Sequence, residues 1–211
     1  RRQRQMCIRD SIESPSDNSR FNEGENVTFT ATVDDPENAL QSVEWTSDVD
    51  GVIGTGTSFT RSFTTPGDRN ITCKATDTGG LFGTDQVTIN INAQPQVAIT
   101  QPVHTGSSVN YDPSVSGTPI VLEATVTDPD DQAWDFIWND SVRGLLATAT
   151  AASSPHQTTL TPLSQGIHDV RVDVQDAMAA TDFATLRIYV PGLDSLIITN
   201  TPVSYTHLRA H

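Results

Sequence analysis

Two stretches of the chain alternate apolar and polar residues in the same way: Val27-Thr-Phe29-Thr-Ala31-Thr-Val33 and Ile120-Val-Leu122-Glu-Ala124-Thr-Val126. Successive side chains of an extended strand point to opposite faces, so a period of two predicts strands with one buried face. Shorter runs of the same kind follow at Val43-Glu-Trp45, Ile71-Thr-Cys73-Lys-Ala75 and Val87-Thr-Ile89-Asn-Ile91. Gly, Pro, Asp and Ser punctuate them as turns. About seven short strands of this spacing in each half of the chain predict an all-β protein of antiparallel sandwiches. The inward set of the first half is Val27, Phe29, Ala31, Val33, Val43, Trp45, Ile71, Cys73, Ala75, Val87, Ile89 and Ile91. Trp45 then sits mid-core on the third strand, against the sixth strand carrying Cys73.

The two halves are copies. At an offset of 93, Asp35-Pro36 falls on Asp128-Pro129, Trp45 on Trp138 and Gly51 on Gly144. A six-residue insertion near Ser153 to Gln157 raises the offset to 99, which carries Gly67 onto Gly166, Cys73 onto Val172 and Asp77 onto Asp176. Upstream, Ile12 and Pro15 pair with Ile99 and Pro102. So many ordered matches define a repeat. The domains are 12–92 and 97–190, with 93–96 as linker, and Leu196-Ile-Ile-Thr199 reads as the start of a third copy within 191–201.

Both ends break the pattern. Arg1 to Asp10 holds four arginines in an otherwise acidic chain, and no apolar run follows to make it a leader. Met6-Cys-Ile-Arg-Asp-Ser11 is what atg tgt ata aga gac ag encodes, and Val203 to His211 resembles the translated complementary strand. Both resemble transposon-end adapters used in DNA sequencing, so residues 1–11 and about 202–211 are read as adapter-derived and the rest as an internal fragment. A genuine basic arm that binds nucleic acid or an acidic surface is the alternative.

Setting those ends aside removes Arg1, Arg2, Arg4, Arg9, Arg209 and Asp10, and leaves 7 bases against 25 acids. A net charge of −18, against −14 for the whole chain, repels phosphate backbones and argues against nucleic-acid binding. No apolar run reaches the length of a membrane span, so no membrane insertion is expected in this fragment. With Cys7 set aside, Cys73 has no disulfide partner, and it reads as a small buried apolar residue.

The ordered series Phe21-Asn-Glu-Gly24, Asp34-Asp-Pro-Glu37, Val43-Glu-Trp-Thr-Ser-Asp-Val-Asp-Gly51, Gly54-Thr-Gly56, Pro66-Gly67, Ile71-Thr-Cys-Lys-Ala-Thr-Asp77 and Gly80-Leu-Phe-Gly83 resembles the PKD-type and bacterial immunoglobulin-like domains of surface and secreted proteins. Copy two has Ala147-Thr-Ala149 in place of Gly-Thr-Gly and lacks the glycines after Asp176, so its turns are expected to differ. The resemblance implies two tandem immunoglobulin-like sandwiches at an extracellular or cell-surface location. They would be non-catalytic spacers or adhesive units beside neighbouring repeats of the same polypeptide, with polysaccharide or surface proteins as further partners. The alternative is an accessory carbohydrate-binding module attached to a secreted hydrolase.

Little chemistry stands out. His104, His156 and His168 are scattered, so no triad is indicated and no enzyme is expected; zinc would need clustered His or Cys. One constellation has weight. In such a sandwich the loops after the second and sixth strands share the end that receives the preceding domain. Copy two places Asp128, Asp130, Asp131 and Asp176 there; copy one places Asp34, Asp35, Glu37 and Asp77. Converging carboxylates, with Asn92 or Gln94 adding oxygens, would hold calcium and stiffen the joint. The competing reading is that aspartates simply start turns and stay solvated. No other cofactor is implied. For glycan binding, Trp134, taken as out of phase with core Trp138, is the aromatic candidate.

Overall fold

A computed structural model describes residues 9–35, 39–103, 106, 108–110, 120–131, 133–160 and 163–190. The expectations for residues 1–8, Glu37, His104 and 191–211 lie outside them. Copy one forms β1 (Arg9–Ser14), β2 (Ser19–Asn22), β3 (Asn26–Asp34), β4 (Leu40–Ser47), β5 (Gly51–Thr55), β6 (Ser58–Ser62), β7 (Gly67–Asp77) and β8 (Phe82–Asn92). Copy two forms β9 (Gln96–Gln101), β10 (Ser108–Asn110), β11 (Ile120–Thr127), β12 (Trp134–Asp140), β13 (Gly144–Ala152), β14 (His156–Leu160), β15 (Gly166–Gln175) and β16 (Thr181–Val190).

The sheet orders are identical. Copy one pairs β1-β3-β6 and β2-β8-β7-β4-β5; copy two pairs β9-β11-β14 and β10-β16-β15-β12-β13. Each copy therefore has eight strands where seven were expected, because the first strand divides. Its first part pairs antiparallel with β3 or β11, and its second part crosses over to pair parallel with β8 or β16. An aspartate from the other sheet ties the first part down: Asp85 Oδ2 accepts from Ile12 N at 2.8 Å, and Asp182 Oδ2 accepts from Val97 N at 2.9 Å.

The alternation places the core as read. In copy one Val27, Phe29, Val43, Trp45, Ile71, Cys73, Ala75, Ile89 and Ile91 are buried, with Val33 and Val87 packed against them. Ile53 and Phe63 join them from runs too short to show a period. Trp45 faces Cys73 across β4–β7. Its ring meets Phe29 edge-on at 5.6 Å, and Phe29 stacks on Phe59 at 4.9 Å. Gly54 makes room for that stack, since a Cβ there would fall 2.4 Å from the Phe59 ring. Copy two fills the space differently. His156 stacks on Phe136 at 4.6 Å, and its Nδ1 accepts from Trp138 Nε1 at 3.2 Å, so Ala147 is tolerated where copy one needs Gly54. Burial pushes the His156 pKa down, which keeps the ring in the neutral form that can accept.

At the C-terminal end of each sandwich a buried polar slot is filled in two ways. Arg69 bonds Asp50 Oδ2 at 2.7 Å, Thr65 O at 2.6 Å and Gly67 O at 3.0 Å, with its guanidinium over the Phe63 ring. The repeat puts His168 at this position; its Nδ1 lies 2.9 Å from Asp140 Oδ2 and its Nε2 lies 3.0 Å from Ser164 O. Each side chain pins the loop that precedes its strand.

Arg9 to Ser11 take part in β1, opposite Asp34 to Thr32. Strand pairing uses backbone groups, so it forms whatever the side chains of residues 9–11; the Asp10 side chain fits less well. Its Oδ2 is buried without a hydrogen-bond partner, and burial, with Asp85 nearby, pushes its pKa up against the opposing backbone hydrogen bonds. The register puts Val97 of copy two at the same place, opposite Val126 as Asp10 is opposite Val33. Replacing Asp10 with Val is expected to raise the melting temperature of the first sandwich. A raised carboxyl pKa favours the fold below the unfolded value of 3.8 and works against it as pH rises through the folded value. The gain should therefore be largest near neutral pH and shrink on acidification. Calorimetry of both proteins across that range checks it; equal melting temperatures at neutral pH would count against the misfit.

Candidate functional site: the joint between the two sandwiches

The two cores are separate clusters, so the joint is held by polar groups. From the first sandwich come the ends of β2 and β8; from the second come the loops after β11 and β15. Asn92, fully buried at the end of β8, donates from Nδ2 to Asp176 Oδ2 at 2.7 Å and shares the same amide with Ala93 O at 2.9 Å and Asn22 Oδ1 at 3.1 Å. Its Oδ1 accepts from Arg20 Nη2 at 3.1 Å. Asn22 Nδ2 reaches Met178 O at 3.1 Å. Ala93 N donates to Asp130 Oδ2 at 3.1 Å, and Arg20 Nη2 stands 3.8 Å from that oxygen. Gln94 Nε2 bonds Thr181 O at 2.7 Å. Donors therefore come chiefly from the first sandwich and carboxylates from the second.

The hairpin that presents Asp176 is built by that residue. Asp176 Oδ1 accepts from Met178 N and Ala180 N, both at 2.8 Å, and Asp176 N donates to Ala180 O at 3.0 Å. Copy one makes the same turn: Asp77 Oδ1 accepts from Leu81 N at 2.8 Å and Asp77 N donates to Leu81 O at 2.9 Å. The expectation that this turn must differ in copy two is corrected. Ala179 takes the left-handed conformation, φ +63°, where copy one uses Gly80 at φ +84°. The aspartate's own bonds set the turn, and alanine bears the strain.

Asp128, Asp131 and Asp176 each bring a carboxylate oxygen within 4.8 Å of the others, with Asp128 and Asp176 buried. Asp128 Oδ2 accepts from Trp134 Nε1 at 3.0 Å and its Oδ1 from Asp130 N at 3.3 Å. Asp130 stands beside the trio on Ala93 N. Burial and the neighbouring Asp128 and Asp131 push its pKa up, against the pull of that backbone N–H. The linker residues expected to supply oxygens behave otherwise. Asn92 turns its NH₂ toward Asp176 and gives its oxygen to Arg20, and Gln94 bonds a backbone carbonyl outside the trio. In copy one Asp35 Oδ2 accepts from Ala39 N at 2.6 Å, Asp77 staples its turn and Asp34 is exposed; among the described residues these do not gather into a comparable group.

Arg20 and Asn22 were not read as site residues. The one usable signal was a base among so few, beside a strand whose end must meet an acidic loop.

Other candidates resolve by position. Trp134 is 5 % exposed and packs in the core with Phe136 and Trp138, so the expectation of an out-of-phase, glycan-stacking ring is corrected. β12 starts at Trp134 itself, which puts residues 134, 136 and 138 on one face. Only the ring's margin lines a cleft of about 350 Å³ with Thr127, Asp128, Ser153 and Ser154. Ser164, His168 and Asp140 stand in nucleophile–base–acid order, with Ser164 Oγ 3.4 Å from His168 Nε2. The ring is fully buried, and Nε2 already faces the Ser164 carbonyl, so no nitrogen is free to take a proton from a nucleophile. Cys73 is buried and its thiol is pushed up to about 12, chiefly by burial and further by Asp10 and Asp85, so it is inert.

Residues 11–72 match the bacterial Ig domain family. No curated protein sequence matches the chain. Among solved structures, the fibronectin(III)-like modules of Clostridium thermocellum CbhA align at 18 % identity and TM-score 0.38, over 96 % of this chain and 100 % of theirs. The three N-terminal domains of the bacteriophage RB49 outer capsid protein Hoc align at 19 % and 0.37, over 87 % and 58 %. The two-domain DIP-gamma IG1+IG2 aligns at 10 % and 0.48, over 87 % and 98 %.

Ala179 is exposed, so replacing it with Gly loses no packing. Relief of left-handed strain, worth about 1–2 kcal/mol, outweighs the extra flexibility of the unfolded chain, roughly 0.5–1 kcal/mol. The variant is expected to melt a few degrees higher by circular dichroism. No change, or a fall, would show that Asp176 does not impose this turn.

Proposed function

We propose that these tandem bacterial Ig-like sandwiches, of the non-catalytic kind found in extracellular and cell-surface proteins, serve as a spacer whose joint fixes the direction of one domain on the next. The observation that supports this most directly is the Asn92–Asp176 hydrogen bond of 2.7 Å between two buried side chains in different domains. A buried carboxylate left without its donor costs about 1–3 kcal/mol, so the joint resists opening. Its polar content, including the Arg20–Asp130 pair, makes it weaker than a hydrophobic interface of similar extent and open to adjustment by salt. Replacing Asn92 with Ala is expected to leave both sandwiches folded and to broaden the distribution of inter-domain angles. Small-angle scattering and residual dipolar couplings measure this. If the two domains of the unaltered protein already tumble independently, the fixed-joint reading fails.

The finer reading is that the joint takes calcium. Two oxygens on one calcium ion, each at about 2.4 Å, lie at most about 4.8 Å apart, and Asp128, Asp131 and Asp176 meet that limit. An ion would offset the repulsion among these carboxylates, which adds to burial in raising the pKa of Asp130. Calcium is expected to raise the melting temperature and narrow the angular distribution, and a chelator to reverse both. Identical melting and scattering in calcium and in chelator would leave the joint to hydrogen bonds alone.

A further inference from the structure

The two copies share strand order and register, so each serves as a control for what the fold requires of the other. The outer face of the β13-β12-β15-β16 sheet breaks that equivalence. Copy two exposes Ile137 (45 %), Ile167 (52 %), Phe183 (53 %) and Tyr189 (46 %) there. The same register positions in copy one hold Glu44, Asp68, Thr84 and Asn90. Copy one's face carries one comparable aromatic, Phe82, and the Lys74 ammonium covers it at 4.4 Å. The fold therefore closes without apolar residues at these four places, and copy two holds them in water at a cost that the sandwich does not demand.

We infer that this face of copy two docks a second copy of the same chain. The charge distribution argues for that occupant. The whole chain carries −14, so two copies repel almost wherever they meet. On this face Asp135, Asp169 and Asp173 are set against Arg171 and Arg187, and both arginines are already neutralised: Arg187 by Asp169 at 2.7 Å, Arg171 by Asp173. The face is thus nearly neutral and apolar on an otherwise acidic molecule. Its shape is self-complementary as well. The Phe183 ring stands out from the sheet under the Arg171 guanidinium. In the same cross-strand row, beyond Asp173, Ile137 lies in a hollow of about 370 Å³ lined also by Thr148, Thr150 and Gln175. A two-fold pairing seats the ring of each copy in the hollow of the other. Four strands at about 4.8 Å by strands about 30 Å long offer on the order of 600 Å² a side, near the lower limit of specific interfaces, so the association is weak and reversible.

Sedimentation equilibrium from micromolar to millimolar protein tests this, at low and at high sodium chloride. The expected result is a concentration-dependent dimer that tightens with salt, because the repulsion between copies is screened while the ion pairs lie within each copy. Ile137→Glu and Phe183→Lys should each weaken it tenfold or more with unchanged melting temperature, and Thr84→Lys on the corresponding face of copy one should not. A monomer throughout the range would overturn the inference. So would a dimer indifferent to both substitutions, or a monomeric chain whose face binds polysaccharide and loses it in Phe183→Lys. The hinge variant Asn92→Ala leaves this face intact, so failure of the fixed joint and failure of self-docking give separate signals.

Discussion

A carboxylate buried at the end of a strand needs donors for both of its oxygens, and Asp176 finds them in two different domains. One oxygen closes its own hairpin through Met178 N and Ala180 N; the other takes the amide of Asn92 from the preceding sandwich. Local and long-range structure thus meet in one side chain. The hairpin bonds fix where the second oxygen points. That direction fixes where Asn92 must stand, and Asn92 in turn orders Asn22 and Arg20 on its own side. Opening the joint would strip a buried charge of a partner while its turn stayed folded. The interface consequently has a preferred geometry although, among the described residues, neither apolar core extends across it.

The fold was legible because its main determinant is periodic. Val27, Phe29, Ala31 and their counterparts Ile120, Leu122 and Ala124 announce a buried face by alternation alone, and the repeat offset carries one reading onto the other. What failed to show were features that periodicity does not encode. The division of the first strand depends on which sheet's backbone groups are open, not on side-chain type. Trp134 was placed out of phase because the strand's start could not be seen; once β12 begins at residue 134, the same period that buries Trp138 buries it. The hairpin after β15 was expected to change with the loss of glycine, but an aspartate's bonds to the backbone outweighed the strain at Ala179. At the joint, the acidic loops were readable as converging, since turn aspartates are visible in sequence. The donors opposite them were not, because Asn22 and Arg20 acquire their role only when the second half of the first strand lies along β8.

The divergence of the copies shows how much chemistry one slot allows. Arg69 and His168 occupy the same register position, and both are enclosed, bonded to an aspartate and to a carbonyl of the loop before the strand. The need is for a polar group that reaches two sides of a small enclosed space. A guanidinium or an imidazole meets it with different reach, and the loop and the acid shift to suit. The rings beside the two core tryptophans differ as well: Phe59 lies over Gly54 in copy one, and in copy two His156, from another register position, stacks on Phe136 and accepts from Trp138.

Where many sandwiches of this shape carry a covalent bridge between sheets, the first copy has Cys73 alone against Trp45, with Phe29 and Phe59 stacked beside it. Closure of the two sheets is therefore left to aromatic packing, and no bond has to be made or broken for it to happen. Such a sandwich can pass a narrow channel as a single unbranched thread and close on the far side with no oxidant. Among the described residues no thiol pair links the sheets, so the redox state of the surroundings has no hold on when they close.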